Sequence, residues 1–265
     1  MFSVDGFGTV VTGTLIEGAL HVGGEAELLP SGTRSRVRNL QVHGENTAIA
    51  VAGQRVAVNL AGIKKTDVIR GDTLAEPDSI RVSRLLDVRL SCLRDSERTV
   101  ENGSRVHFCH GTAARLAKVV LLDRDALAPG ESAYAQLRFT EGVAAKCGDR
   151  FVIRFYSPLE TIGGGIILDD APARHKRNDA AVLSALAVRE NGSGAERVLQ
   201  ALIALDTALP SAAQLAARLG LEEMRLAPEL DALRAASERS RCRQRAARAS
   251  SSARPAAWQR PWHGA

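Results

Sequence analysis

Over the first 80 residues, apolar positions fall in short runs with partial alternation: Thr9 to Leu15, Glu25 to Leu29, Arg36 to Val42 and Gln54 to Leu60. Turn-forming clusters divide them, at Pro30-Ser31-Gly32, His43-Gly44-Glu45-Asn46 and Arg70-Gly71-Asp72. The β-branched residues between Thr9 and Leu15 favour a pleated backbone, and the surrounding glycines sit where strands end. Strands of this length and spacing predict a small antiparallel barrel, whose closure removes the unpaired edges of an open sheet. A nucleotide-binding glycine loop does not fit. Val11 stands where G-x-G-x-x-G needs its third glycine, and no helical pattern follows.

A second set of short runs predicts strands at Arg84–Leu93, Ser104–His110, Ala114–Leu122, Ser132–Thr140, Asp149–Phe155 and Thr161–Leu168, with turns at Pro129-Gly130-Glu131 and Gly148-Asp149. Their number predicts a second barrel. Gly163-Gly164-Gly165 is flanked by Ile162 and by Ile166-Ile167-Leu168, so it reads as a close strand crossing; a phosphate cradle would need a helix N-terminus directly after it.

Past Pro172 the apolar period lengthens from two to about 3.6. Asn178 is the expected N-cap of a helix with Val182, Leu183 and Leu186 on one face, ended by Gly192. Glu196 to Leu205 repeats the pattern with Val198, Leu199, Leu202 and Ile203. A helix capped by Ser211, with Leu215 and Leu219 before Gly220, and another with Leu226, Leu230 and Leu233 around Pro228 give the layout of a winged-helix module. The β-wing that should follow is missing. From about residue 238 aliphatic side chains give way to Arg, Ala and Ser, followed by Trp258 and Trp262. This tail is expected to be disordered, and with 30 Arg against 5 Lys in the chain it reads as out-of-frame translation; a basic RNA-binding arm is the functional alternative. The expected fold is therefore mainly β with a C-terminal α segment: a barrel over residues 1–78, a second over 79–174, a helical linker and partial winged helix over 175–237, and a tail over 238–265.

A net charge of +5 suggests a nucleic-acid binder until its location is considered. Seven arginines and no acidic residue lie after residue 238, which leaves the preceding body at −2. Cys92, Cys109, Cys147 and Cys242 are too far apart for a zinc knuckle or a C-x-x-C pair, and with no apolar export segment at the N-terminus they read as reduced thiols in the cytoplasm. No apolar run approaches the ~20 residues of a bilayer span, so no membrane partner is expected. His21, His43, His107, His110 and His175 are scattered and read as surface or packed residues, so no metal site is assigned. The motif G-x-x-x-x-G-K-[ST] is absent, as are G-x-S-x-G and H-E-x-x-H. The chain alone is thus expected neither to hydrolyse GTP nor to carry catalytic residues.

Gly8-Thr9-Val10-Val11-Thr12-Gly13, with Ala52-Gly53-Gln54-Arg55-Val56-Ala57-Val58-Asn59-Leu60-Ala61-Gly62 downstream, resembles the second domain of translational GTPases, and most closely the selenocysteine-specific elongation factors (SelB). The resemblance runs through His175-Lys176-Arg177, fades over the helices and is lost by about residue 238. Gly24 stands where the family often has Gly-Asp. The resemblance makes the two barrels the second and third domains of such a factor, without its GTP-binding domain. Met1 then falls inside a strand, so the chain is expected to begin within a domain or at an internal start codon. The implied function belongs to the complete factor, a GTPase using GTP and magnesium. It delivers selenocysteinyl-tRNA to the ribosome at recoded UGA codons while a winged-helix arm binds the mRNA insertion hairpin. The present chain would hold no cofactor itself and would be a monomer.

Read from its surroundings alone, Arg55 is an outward-facing arginine on a barrel strand. The resemblance implies that it lies in the pocket for the selenocysteinyl end of the tRNA, together with an Asp-Arg pair that would precede Met1. A selenol is anionic at neutral pH, so a guanidinium can prefer it over neutral serine or cysteine by charge. The cluster Arg174-His175-Lys176-Arg177 is either a solvated linker or a weak RNA phosphate contact. Two other readings compete. A DNA-binding regulator with a β-barrel sensor and helix-turn-helix is disfavoured because Glu222 and Glu223 balance Arg218 and Arg225. The barrel pair of another translational GTPase would not be expected to carry the helical segment.

Overall fold

A computed structural model of the chain describes residues 2–4, 8–204 and 226–235. The first sheet is antiparallel and orders its strands Phe2–Val4, Gly8–Thr14, Arg55–Leu60, Thr33–Val42, Glu25–Leu29 and Thr73–Ala75, with Glu45–Thr47 folded back on Thr33–Val42. Alternation decides which face is buried: Val56, Val58 and Leu60 point into a core with Leu28, Val37, Leu40 and Ile63, while Arg55, Ala57 and Asn59 point out. The register slips between Val37 and Asn39, a bulge that reverses the alternation of the longest strand of this sheet. A separate pair, Ala19–His21 with Ile49–Val51, was not legible in the sequence because three residues hold too little alternation. Gly23 and Gly24 bond the backbone of Val37 at 2.8 and 2.9 Å and tie this pair to the sheet.

The second sheet closes completely. Its ring runs Val82–Cys92, Ser132–Ala144, Ala113–Leu121, Arg105–His110, Arg150–Phe155, Thr161–Asp169 and back to Val82–Cys92. All six expected strands are present, the fourth in the sequence running on to Ala144. Phe108 fills the interior, its ring 5.2 Å from Phe139 in an edge-on pair and 5.1 Å from Phe151. The closing strand holds Gly163, Gly164 and Gly165 between two neighbours. A Cβ on each would lie under 3.0 Å from a backbone carbonyl oxygen: Ser91 for Gly163, Phe151 for Gly164, Arg89 for Gly165. The triple glycine is thus a close strand approach, as expected.

The helix Ala180–Asn191 lays Val182, Leu183 and Leu186 on the outside of this ring, over Val120, Leu122, Tyr134, Ile166 and Leu168. Residues 175–190, which periodicity alone joins to the helical arm, therefore belong to the compact unit that ends at Glu190. The expected cap is shifted by one residue. Asp179 Oδ1 accepts from the amides of Ala181 and Val182 at 3.0 and 3.4 Å, whereas Asn178 takes φ 56° and donates its amide to Leu122 O at 2.7 Å. A carboxylate suits the positive end of a helix, and asparagine tolerates the left-handed turn. The next helix, Gly194–Ala204, begins two residues earlier than expected because Ser193 and Glu196 form a capping box, with the Glu196 amide donating to Ser193 Oγ at 3.3 Å and the Ser193 amide to Glu196 Oε2 at 2.8 Å. Residues 226–235 are helical with Leu226 buried. The helix expected at Ser211, the wing and the tail lie outside the described residues.

The two barrels touch through the loop before Thr73. Gly71 has φ 105°, and a Cβ there would lie 2.9 Å from the Ala113 Cα. Across the contact Arg115 lies 3.9 Å from Asp72, and Lys146 meets Glu17 at 2.6 Å.

Gly165→Ala is expected to cost ~1–3 kcal/mol by forcing backbone and side chains apart. Gly13→Ala, whose added methyl meets nothing within 4 Å, should stay within about 0.5 kcal/mol of the parent. Urea denaturation of both variants checks the contrast; equal effects would remove the close-approach explanation.

Candidate functional site

Arg55 is presented by a tight turn. Gly53 has φ 89° and donates to Leu15 O at 2.8 Å, the Leu15 amide returns a bond to Gln54 O at 2.9 Å, and Gln54 Oε1 accepts from the Val51 amide at 2.9 Å. Arg55 then opens the strand opposite Thr14, with Ala57 between Thr12 and Gln41, and Asn59 between Val10 and Asn39. All of these face away from the core, so this part of the sheet's outer face is a polar strip that carries the Arg55 guanidinium. Asn46 Oδ1 accepts from Asn39 Nδ2 at 2.8 Å and from Gln41 Nε2 at 3.1 Å. Asn59 Oδ1 is shielded from solvent and has no partner among the described residues. Arg55 is exposed and in no ion pair among those residues. The strip can therefore bind an anion next to groups that donate and accept hydrogen bonds.

The basic cluster does not act as one surface. Arg174 and Lys176 are exposed, but His175 Nε2 lies 2.7 Å from Asp87 Oδ2. Arg177 donates to Leu121 O at 2.9 Å, to Arg124 O at 2.8 Å and to Asp125 Oδ1 at 2.5 Å. Two of the four cations are thus spent on the second barrel. Asp87 is 1% exposed and also accepts from Gln136 Nε2 at 2.9 Å. The hydrogen bond to Asp87 holds the His175 imidazole above its usual range, against the opposing effect of burial.

A cationic face that the sequence reading missed lies on the second barrel, around the strand Arg105–His110. Val106 and Phe108 point inward, so Arg105 and His107 point out. Arg105 lies opposite Lys118, and His107 lies between Leu116 and Arg154. The next strand contributes Arg150 on the same side. Arg105, Lys118, Arg150 and Arg154 make no ion pair among the described residues, and Arg154 Nε is buried there without a partner. The rings of His107 and Tyr156 stack at 5.7 Å and 8°. Unneutralised cations around a stacked pair can meet phosphates and a sugar or base. The available signal was basic residues at outward positions of three candidate strands.

Both sheets match known protein families. Residues 8–75 match the family model for elongation factor Tu domain 2, and residues 87–174 match that for the beta-barrel domain of selenocysteine-specific elongation factor. The chain is 45% identical over 188 residues to the selenocysteine-specific elongation factor of Desulfomicrobium baculatum, a match over 70% of this chain and 30% of that protein. It is 31% identical over 199 residues to that of Haemophilus influenzae, over 73% of this chain and 31% of the relative. Among solved structures, the bacterial selenocysteine-specific elongation factor EF-Sec aligns with a TM-score of 0.62 at 25% identity, covering 75% of this chain and 31% of that one. The chain thus spans less than a third of the length of these relatives.

Exposure separates two of the arginines in stability. Arg55→Ala should stay within about 0.5 kcal/mol of the parent, and Arg177→Ala should lose ~1–3 kcal/mol because its charge-assisted bonds to two carbonyls go with it. Urea melts of the two variants decide; equal losses would contradict these placements.

Proposed function

Because residues 8–75 match elongation factor Tu domain 2 and residues 87–174 the barrel domain of selenocysteine-specific elongation factor, we propose that these residues are the barrel pair of such a factor and hold selenocysteinyl-tRNA for delivery to the ribosome in the cytoplasm, GTP and magnesium being bound by a domain outside the two barrels. The observation that carries the reading is Arg55, an exposed guanidinium beside Thr14 on a strip of hydroxyl and amide groups. A selenolate placed there meets a full positive charge, while a seryl hydroxyl offers only hydrogen bonding. The cationic face of the second barrel supports the same reading, since phosphates of an RNA stem would release counterions on meeting Arg105, Lys118, Arg150 and Arg154. In this reading the helical residues after Glu190 begin an arm for the mRNA hairpin, the recoded UGA codon is the site of delivery, and the complete factor is the GTPase.

Three measurements test the proposal. Isothermal titration of the purified chain with GTP and magnesium should give no heat of binding; micromolar affinity would overturn the domain assignment. In a chain joined to a GTP-binding domain, Arg55→Ala should weaken selenocysteinyl-tRNA tenfold to hundredfold, as expected for a lost charge-assisted bond of ~1.5–3 kcal/mol, while leaving seryl-tRNA nearly unchanged. Equal weakening of both would make Arg55 a phosphate contact, and no weakening would make it a surface decoration. Arg105→Glu with Lys118→Glu should weaken both charged tRNAs alike and flatten the dependence of log K on log salt by roughly one for each phosphate left without its cation.

A further inference from the structure

The segment that carries the chain from the second barrel to its outer helix is fastened by side chains from the barrel strands. Pro172 is buried, Ala173 O accepts from Gln136 Nε2 at 2.8 Å, His175 O accepts from Arg138 Nη2 at 3.2 Å, and the Asn178 amide donates to Leu122 O at 2.7 Å. Gln136 is fully buried and joins this backbone to Asp87. At the far end of the helix, the Tyr134 hydroxyl donates to Glu190 Oε2 at 2.6 Å, and Arg89 lies 3.4 Å from the same carboxylate.

A carboxylate as buried as Asp87 needs a counter-charge, and His175, 88 positions later in the chain, is the group bonded to its second oxygen. We propose that Asp87, Gln136 and His175 form a protonation-dependent clasp that pins the helix Ala180–Asn191 to the second barrel, which makes His175 a positioning residue for that helix rather than an RNA contact. The charged groups that face the imidazole are Asp87 on the strand Val82–Cys92, Asp169 on Thr161–Asp169 and Arg189 on the helix itself; Arg138 and Arg174 bear on the same network. The two carboxylates favour the imidazolium, and Arg189 and burial oppose it, with the carboxylates prevailing.

The direction of the pH effect follows. Because His175 is raised in the folded protein, the clasp is fully closed below the ordinary histidine value of ~6.5 and weakens as pH rises through the folded value. The neutral ring can still donate from Nε2, but without its charge the bond is roughly half as strong and Asp87 is left as a buried anion.

Hydrogen exchange of the full chain, corrected for intrinsic rates and followed from about pH 6 to 9, reads the clasp directly. In the parent, protection of residues 180–190 relative to the strand Ser132–Ala144 should fall progressively across that range as the imidazolium raised by Asp87 loses its proton. His175→Gln should be weakly protected there at every pH, and Asp87→Asn should abolish the pH dependence. Parent protection that does not change with pH, or an Asp87→Asn variant that keeps the parent's profile, would overturn the proposal. If either variant loses protection in the strand as well, the barrel has failed and the parent series alone decides. No RNA is present, so the result is independent of the proposed tRNA role.

Discussion

Closing six strands into a ring is the constraint on which the rest of this structure depends. The last strand must enter between two others, and over Gly163 to Gly165 its neighbours approach so closely that no side chain fits. Once the ring is closed it has an inside, packed with Leu90, Phe108, Val119, Leu137 and Ile153. Each of these contributes on the order of 1.5–3 kcal/mol by leaving water. It also has an outside that is divided. The strand Val82–Cys92 lies in the sector covered by the helix, and Arg105–His110, three places away around the ring, lies in the sector left open. The covered sector attaches the chain that follows, and the open sector carries the unneutralised cations.

Charge is distributed according to the same division. On the covered side, Asp87, Asp169 and Asp170 are nearly inaccessible and each is met by a cation, His175, Arg189 and Arg81 respectively. Removing one partner of such a pair strands a buried charge, so these pairs hold a geometry even where their net contribution to stability is small. Exposed pairs such as Arg34 with Asp78 contribute little by comparison. On the open side, Arg105, Lys118, Arg150 and Arg154 meet no carboxylate among the described residues, which is the arrangement expected of a surface that meets an anionic partner.

Under the proposed reading the two barrels do different work on one RNA. A face of arginine and lysine holds phosphates without regard to what the RNA carries, while the strip around Arg55 meets the group that distinguishes one charged tRNA from another. Affinity then comes mainly from the second barrel and selectivity from the first. The loop at Gly71, pressed against Ala113, keeps the barrels in contact within one compact unit.

Period-two alternation revealed the six strands of the ring, the glycine triplet marked its closure, and Leu186 with its neighbours marked the helix that covers it. These signals are local: side chains two or four residues apart must share a face whatever lies beyond. The outward orientation of Arg55 was legible for the same reason. Strands of two or three residues were not, because they complete too little of a period, and the helix cap was misplaced by one residue because asparagine and aspartate both suit that role. The fate of the basic cluster could not be read at all, since whether a cation meets a phosphate or a buried carboxylate depends on what lies across the fold, and Asp87 stands far earlier in the chain. The cationic face is of the same kind. Residues 105, 118 and 154 become neighbours, with Arg150 further along the same outward face, only because antiparallel pairing in a closed ring stacks distant strands side by side, a long-range constraint that no local pattern encodes.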